Sequence, residues 1–224
     1  MCYNKTKRGF YMTHYILGLL TADGSARKYC TISGENTYSC DLEMAEEQIV
    51  LDIAKFLNKT VFYRERVIND KLRKFWKVSF YTDDIEMIKY GKYLVKGRPN
   101  IYELYKSFSK NERADFVRGL FDGDGSICQR KNGTSCIGFS INSACNGIRE
   151  IIEDFCAEND LSLSKYYDKR GNGSWYYSIN SKNDKIKFAN IIYESDGICL
   201  QRKKETFIKI FGGEKKMETT GSYL

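Results

Sequence analysis

The spacing of apolar positions along this chain changes period many times, and the changes run in the same order twice. "YILGLLTADGSA" (Tyr15 to Ala26) and "FVRGLFDGDGSI" (Phe116 to Ile127) are apolar runs of helical character that each close on Asp-Gly. After the first, "ARKYCTIS" and "TYSCDLEM" alternate apolar and polar residues with the period of two that marks half-buried strands. The helical spacing then returns in "AEEQIVLDIAKFLN", which predicts a helix over Ala45–Asn58, and two more alternating stretches follow, "TVFYRERV" and "LRKFWKVSFY". A further helix is expected from about Asp83. After the second run, "ICQRK" turns at Asn132-Gly133, a strong hairpin signal, into "TSCIGFSI". "ACNGIREIIEDFCAEN" predicts a helix over Ala144–Asn159, "LSLSKYYDK" and "SWYYSIN" flank Gly171-Asn172-Gly173, and a last helix starts near Lys182.

Each half therefore reads α-β-β-α-β-β-α, with Ala45 opposite Ala144 and Ile49 opposite Ile148. The fold class expected is α+β, two pseudo-symmetric repeats whose strands form antiparallel sheets. Residues 1–96 make the first repeat with an N-terminal arm, 97–109 a linker containing the only proline, Pro99, 110–211 the second repeat, and 212–224 a tail. Ser109 with Glu112 forms a capping-box pattern, so the second motif helix is predicted to begin at Lys110.

Small residues recur at a spacing of four in both motif helices, Gly18 with Ala22 and Gly119 with Gly123. Such residues share one helix face and let two backbones approach closely. Pairing of these faces brings Asp23 beside Asp124 about a pseudo-twofold axis, with Gly24 and Gly125 expected as left-handed C-caps. Two carboxylates at two electronegative helix ends repel each other, and a divalent cation between them reverses the sign. Oxygen donors at an open site suit Mg²⁺. The stretch "DGDGSI" is not an EF-hand loop: counted from Asp122, the sixth position is Ile127 and the twelfth Gly133, where that loop needs Gly and Glu.

Charge and composition narrow the chemistry further. The 224 residues carry a net charge of +7, from 36 basic and 29 acidic side chains, which favours a polyanionic partner such as nucleic acid. One histidine, His14, and eight cysteines with no C-x-x-C spacing argue against zinc and against histidine-rich nuclease or hydrolase chemistry. The cysteines read as reduced, mostly small core residues of a monomer with no membrane partner. No targeting signal is seen, which places the chain inside a cell, in the cytoplasm or nucleoid of a bacterium, archaeon or phage-infected cell or in an organelle that encodes it.

The pair "ILGLLTADG" and "VRGLFDGDG" resembles the two motifs of the single-chain LAGLIDADG homing endonucleases, and the repeat order resembles theirs from about Thr13 to Ile210. The resemblance implies two αββαββα halves, a β-saddle over double-stranded DNA, a central two-helix interface, and hydrolysis of both strands across the minor groove to leave 3′ overhangs. The metal-binding acid is the eighth motif position, Asp23 and Asp124, with the preceding Ala22 and Gly123 at the same metal site. Mg²⁺ is the cofactor implied, with Mn²⁺ able to substitute and Ca²⁺ expected to bind without supporting cleavage. The sixth position is Thr21 in one copy and Asp122 in the other. "LQRKKE" resembles the segment that carries a catalytic basic residue, which gives Lys203; "LVKGRP" departs from the pattern and offers Lys96. The implied role is intron homing. The alternatives are an intron-encoded maturase, with the host intron RNA as partner, or a DNA-binding protein that no longer cleaves.

Strand alternation assigns the DNA-facing side chains. In the first repeat these are Arg27, Tyr29, Thr31, Ser39, Asp41, Arg64, Arg66, Arg73 and Lys77; Cys30, Ile32, Tyr38, Cys40, Leu42, Val61, Tyr63, Val67, Leu72, Trp76, Val78 and Phe80 point to the core. In the second repeat they are Arg130, Ser140, Tyr166, Tyr176, Ser178 and Asn180, with Ser174 on the same side.

Overall fold

The computed structural model describes residues 8–30, 36–81, 92–94, 100–129, 133–194 and 197–212. Thr31, Ile32, Lys96, Pro99, Arg130 and the helix expected from about Asp83 lie outside the described residues, as do the side chains of Tyr29 and Cys30.

The first repeat runs α1 (Arg8–Asp23), β1 (Gly24–Cys30), β2 (Asn36–Met44), α2 (Glu47–Leu57), β3 (Val61–Ile68) and β4 (Lys71–Tyr81). After α3 (Ile101–Lys106), the second runs α4 (Lys110–Asp124), β5 (Gly125–Gln129), β6 (Ser135–Asn142), α5 (Asn146–Glu158), β7 (Leu163–Asp168), β8 (Ser174–Ile179) and α6 (Lys182–Tyr193), followed by α7 (Gln201–Phe211). Each repeat forms one antiparallel sheet, in the orders β1-β2-β4-β3 and β5-β6-β8-β7. Neither sheet closes on itself, and together they form an open saddle.

The two motif helices pack as the small residues require. A Cβ on Gly18 would lie 1.9 Å from the Phe116 carbonyl oxygen and 2.9 Å from the Leu120 nitrogen. A Cβ on Gly119 would lie 2.1 Å from the Tyr15 oxygen and 2.7 Å from the Leu19 nitrogen. These contacts are reciprocal: Tyr15 and Phe116, like Leu19 and Leu120, are separated by the same interval as Asp23 and Asp124. That is the signature of a pseudo-twofold axis between parallel helices. α1 is enclosed almost all round, with Tyr15, Ile16, Leu17, Leu19, Leu20 and Thr21 buried. α2 and α5 instead bury one stripe each, Ile49, Val50, Ile53, Ala54 and Leu57 on one and Ile148, Ile151, Ile152, Phe155 and Cys156 on the other. α2 stops at Asn58, which turns into the left-handed region at φ 53° and sends its N–H back to Ala54 and Lys55. α4 begins at Lys110 behind the Ser109–Glu112 capping box, as its sequence predicts.

Several expectations are corrected. Gly24 and Gly125 are not left-handed caps: neither has positive φ, and Gly125 is extended at φ −75°, ψ 158°. They are glycine because the chain turns sharply from helix to strand, so that a Cβ would strike the Leu20 Cα at 2.6 Å or the Phe121 oxygen at 2.5 Å. The linker expected over 97–109 contains α3, whose Ile101, Leu104 and Tyr105 are buried, with Phe108 beyond it. Their spacing is that of a helical stripe, and α3 packs on α5. Tyr63, Val67 and Leu72, expected in the core, are 67%, 70% and 65% exposed. They do lie on the core side, sharing a face with Trp76 and Val78, but the β3–β4 hairpin runs on past the core that α2 covers. Of the described cysteines only Cys40 and Cys156 are buried, and Cys128 is exposed.

The close approach of α1 and α4 sets a stability prediction. Gly18→Ala should destabilise by about 1–3 kcal/mol through overpacking. Gly171→Ala, at φ 60° with nothing within 4 Å of the new Cβ, should cost about 1 kcal/mol through backbone strain alone. Chemical denaturation of the two variants checks the order.

Candidate active site

Asp23 and Asp124 are the last residues of α1 and α4, and both side chains are exposed. The helix pairing carries them to one place. A Cβ on Gly123 would lie 2.3 Å from the Ala22 Cβ and 3.1 Å from Asp23 Oδ2. The Asp23 carboxylate thus sits against the residue that precedes Asp124, and all four residues expected at the metal site lie on one seam. Among the described residues, no group of three or more His, Cys, Asp or Glu side chains could hold a metal. The donors on offer are two carboxylates and the backbone of two helix ends, a set that leaves room for water and phosphate oxygens, as Mg²⁺ prefers.

Neither motif helix has a basic residue in its last turn. For α4 the missing cation comes from far along the chain. Lys203, in the first turn of α7, is 4% exposed, and its Nζ donates to the carbonyls of Phe121 at 2.5 Å, Asp122 at 2.8 Å and Gly125 at 2.6 Å. It also lies 5.1 Å from the Phe121 ring centroid. Three donors thus satisfy the carbonyls at the helix end and neutralise its partial charge. Lys203 is therefore no solvated surface charge. Its ammonium is directed at backbone immediately beside Asp124. Burial lowers its pKa to about 8, with the carboxylates of Asp122 and Asp23 pulling the other way.

Asp122, the sixth motif residue, is a second anchor. It is buried and accepts hydrogen bonds from the Tyr15 hydroxyl of α1 at 2.9 Å, the Tyr193 hydroxyl of α6 at 2.8 Å and the Leu200 N–H ahead of α7 at 2.7 Å. One carboxylate therefore ties three helices to the end of α4. Desolvation still raises its pKa, against those hydrogen bonds and Lys203. One turn earlier, Arg118 pairs with Asp115 at 2.7 Å, both buried, donates to the Ile192 carbonyl and stacks over the Tyr15 ring. The matching positions of α1 differ in kind: Thr21 bonds back to the Leu17 carbonyl of its own helix at 2.8 Å, and Leu17 stands where α4 has Arg118. Arg202 reaches Glu46, at the start of α2, at 2.9 Å and so links the two repeats beside the site.

Sequence reasoning missed Tyr15, Tyr193, Leu200, Arg118, Glu46 and Arg202. The polar residues inside an apolar motif helix, Asp115, Arg118 and Asp122, were the available signal, since each must find a partner once buried.

The expected DNA-facing residues that are described fall on one side of each sheet. In the first, Arg27 pairs with Ser39 across β1 and β2, and Asp41 with Ser79, Glu43 with Lys77, Arg64 with Phe75 and Arg66 with Arg73 across the neighbouring strands. Asp41 is engaged within the face, accepting from Ser79 at 2.6 Å and pairing with Lys77 at 3.0 Å. Burial opposes ionisation there, but those contacts hold its carboxyl below the usual range. Glu43 binds both Arg64 and Arg66. In the second sheet Ser140, Tyr166, Tyr176 and Ser178 share the outward face, and Asn180 donates to Ser164 on that face.

Residues 111–193 match the model of the LAGLIDADG-like domain. No curated protein matches the chain. Among solved structures, I-DmoI in complex with DNA and Ca matches 88% of this chain and 96% of its own, with 18% identity and a TM-score of 0.58. The complex of I-DmoI with DNA and Mn gives 84%, 98%, 18% and 0.54. Full-length WhiA from Thermatoga maritima matches 97% of this chain and 65% of its own, at 16% identity and a TM-score of 0.52. At these identities the likeness is one of fold. The second repeat thus matches a LAGLIDADG-like domain, and the chain as a whole shares the fold of these structures.

The depressed Lys203 pKa gives a pH prediction. The folded protein releases this proton near pH 8 and the unfolded chain near its ordinary value of 10.5, so between those limits the unfolded state holds more protons. Stability attributable to this group therefore rises with pH across that window. Unfolding free energies of the parent and Lys203→Met, measured at pH 7.5 and 10, should differ in slope in the parent's favour; parallel curves refute the shift.

Proposed function

We propose that the chain is a site-specific double-strand DNA endonuclease that hydrolyses phosphodiesters with divalent metal held at Asp23 and Asp124. It reads a long target in the major groove with the outward sheet faces and cuts across the minor groove, leaving 3′ overhangs. The observation that carries this reading is the seating of the Asp23 carboxylate against Gly123, which brings one acid from each half to a single seam. Support comes also from I-DmoI, whose solved complexes hold DNA with Ca, Mn or Mg.

Asp23 and Asp124 would hold the metal, with the backbone of Ala22 and Gly123 beside them. When bound, it supplies an activated water and charge stabilisation at the leaving oxygen. The chain's own contribution is positional. The glycine contact fixes the separation of the two carboxylates. Lys203 and Asp122 hold the end of α4 so that Asp124 cannot swing away, which makes Lys203 a positioning residue whose ammonium is committed to backbone. The net charge of +7 draws the polyanion to the saddle.

Mg²⁺-dependent digestion of a randomised duplex library, with sequencing of the cut ends, tests catalysis, target and overhang together. Asp23→Asn and Asp124→Asn should each abolish double-strand cleavage, by a factor of about 10³ or more, while leaving duplex affinity within a few-fold. Undiminished cutting by either variant refutes the assignment. Binding of host intron RNA without any DNA cleavage would favour the maturase reading.

A further inference from the structure

The two sheets present different chemistry on matching faces. The outward face of the first sheet carries Arg27, Arg64, Arg66, Lys71, Arg73 and Lys77, against the carboxylates Asp41 and Glu43. Arg66 and Arg73 stand directly opposite one another on β3 and β4, an arrangement of like charges that costs stability unless an anion covers it. Glu43 engages Arg66, whereas Arg73 and Lys71 have no carboxylate partner among the described residues. This hairpin is also the longer one: β4 has 11 residues and β8 has six. At about 3.4 Å per residue, β4 is about 17 Å longer than β8.

The described strand residues on the outward face of the second sheet include no lysine or arginine; Arg130, expected on that side near the β5–β6 turn, lies outside the described residues. Those on the face are hydroxyls, thiols, an amide and two tyrosines, with Ser126 opposite Gly138, Cys128 opposite Cys136, Ser140 opposite Tyr176 and Ser164 opposite Ser178. Tyr166 and Tyr176 stand opposite each other, 66% and 42% exposed, with ring centroids 6.5 Å apart. The one carboxylate there, Asp168, is matched by Arg170 at the hairpin tip through Nε at 3.0 Å and Nη2 at 2.6 Å.

Building on the endonuclease reading, we infer that the two outward faces, both lying along the major groove, hold their halves of the DNA target by different physics: the first mainly through phosphate charge, and the second mainly through neutral hydroxyl and tyrosine contacts to base edges. Phosphate contacts by cations release counterions, giving affinity that is steep in salt and blind to sequence. Hydroxyl and aromatic contacts release none, and they discriminate through hydrogen bonds to base edges and apolar contact with thymine methyls. Tyr166 and Tyr176 are then specificity-determining, and Arg64 and Arg73 supply affinity.

The test uses the full chain in Ca²⁺, the duplex cut best in the library digestion, and a scrambled duplex of the same composition. Binding is measured from low to physiological salt. Arg64→Gln with Arg73→Gln should flatten the slope of log affinity against log salt by about 0.9 per cation removed, equally for both duplexes. Tyr166→Ala with Tyr176→Ala should leave that slope unchanged and weaken the cut duplex roughly tenfold or more, with the scrambled duplex unaffected. Ser140→Ala with Ser178→Ala repeats the second arm without touching the ring pair. The inference is overturned if the tyrosine and serine variants weaken both duplexes alike, or if the arginine variants alter sequence preference at unchanged slope. A parent protein that cuts and binds DNA but shows such results loses only this inference. One that binds no duplex sinks the endonuclease reading with it.

Discussion

The structure depends on one close contact: two helix backbones touching at Gly18 and Gly119 with no side chain between them. Everything that gives the molecule chemistry follows from that distance. With alanines there, the carbonyls of Phe116 and Tyr15 would have to withdraw by more than an ångström. The carboxylates of Asp23 and Asp124 would move apart by a comparable amount. The contact also sets the relation of the two sheets, because each begins immediately where its helix ends, at Gly24 and at Gly125. Helix pairing, acid placement and saddle geometry are thus one constraint.

That constraint creates an electrostatic problem, and at the end of α4 the structure shows how it is met. Parallel helices in contact put two electronegative ends side by side, and each carries an aspartate as well. At the end of α4, Lys203 answers with three hydrogen bonds to carbonyls, and Asp122 ties the same turn to α1, α6 and α7. A buried ammonium is expensive in itself, as its lowered pKa shows, and it is tolerated because all of its donors are used. In α1 the residue matching Asp122 is Thr21, which bonds within its own helix. The end of α4, and with it Asp124, is accordingly tied to three other helices.

Much of this was legible in the sequence, because it follows from local rules. Period-two and helical spacing located the described strands and the described helices other than α3 and α7, and the small-residue spacing gave the helix interface. What escaped was whatever depended on distance in space. The role of Gly24 and Gly125 was mistaken because Asp-Gly after a helix suggests a positive-φ cap, whereas the glycines yield to Leu20 and Phe121 in a sharp turn. The overhang of β3 and β4 was invisible because alternation tells which side a residue faces and not whether the core extends beneath it. The spacing of Ile101, Leu104, Tyr105 and Phe108 was there to be read, but Pro99 and polar neighbours drew the segment toward a linker. Lys203 could be proposed only through resemblance. Its burial is decided by where α7 docks, which no local pattern states.

A single chain with two repeats is free to diverge in ways a symmetric dimer is not, and the divergence here is confined. The reciprocal glycine contacts and the two terminal aspartates keep the twofold relation, since neither half can change them without displacing the other. Away from the axis the halves part company: Asp122 and Arg118 of one motif helix are Thr21 and Leu17 in the other, and among the described strand residues cations line one sheet face and hydroxyls its counterpart. Residues that touch both halves are bound by symmetry, and residues that touch only one are released from it. The seam requires that restraint, and the sheet faces, each built from one half alone, are open to that release.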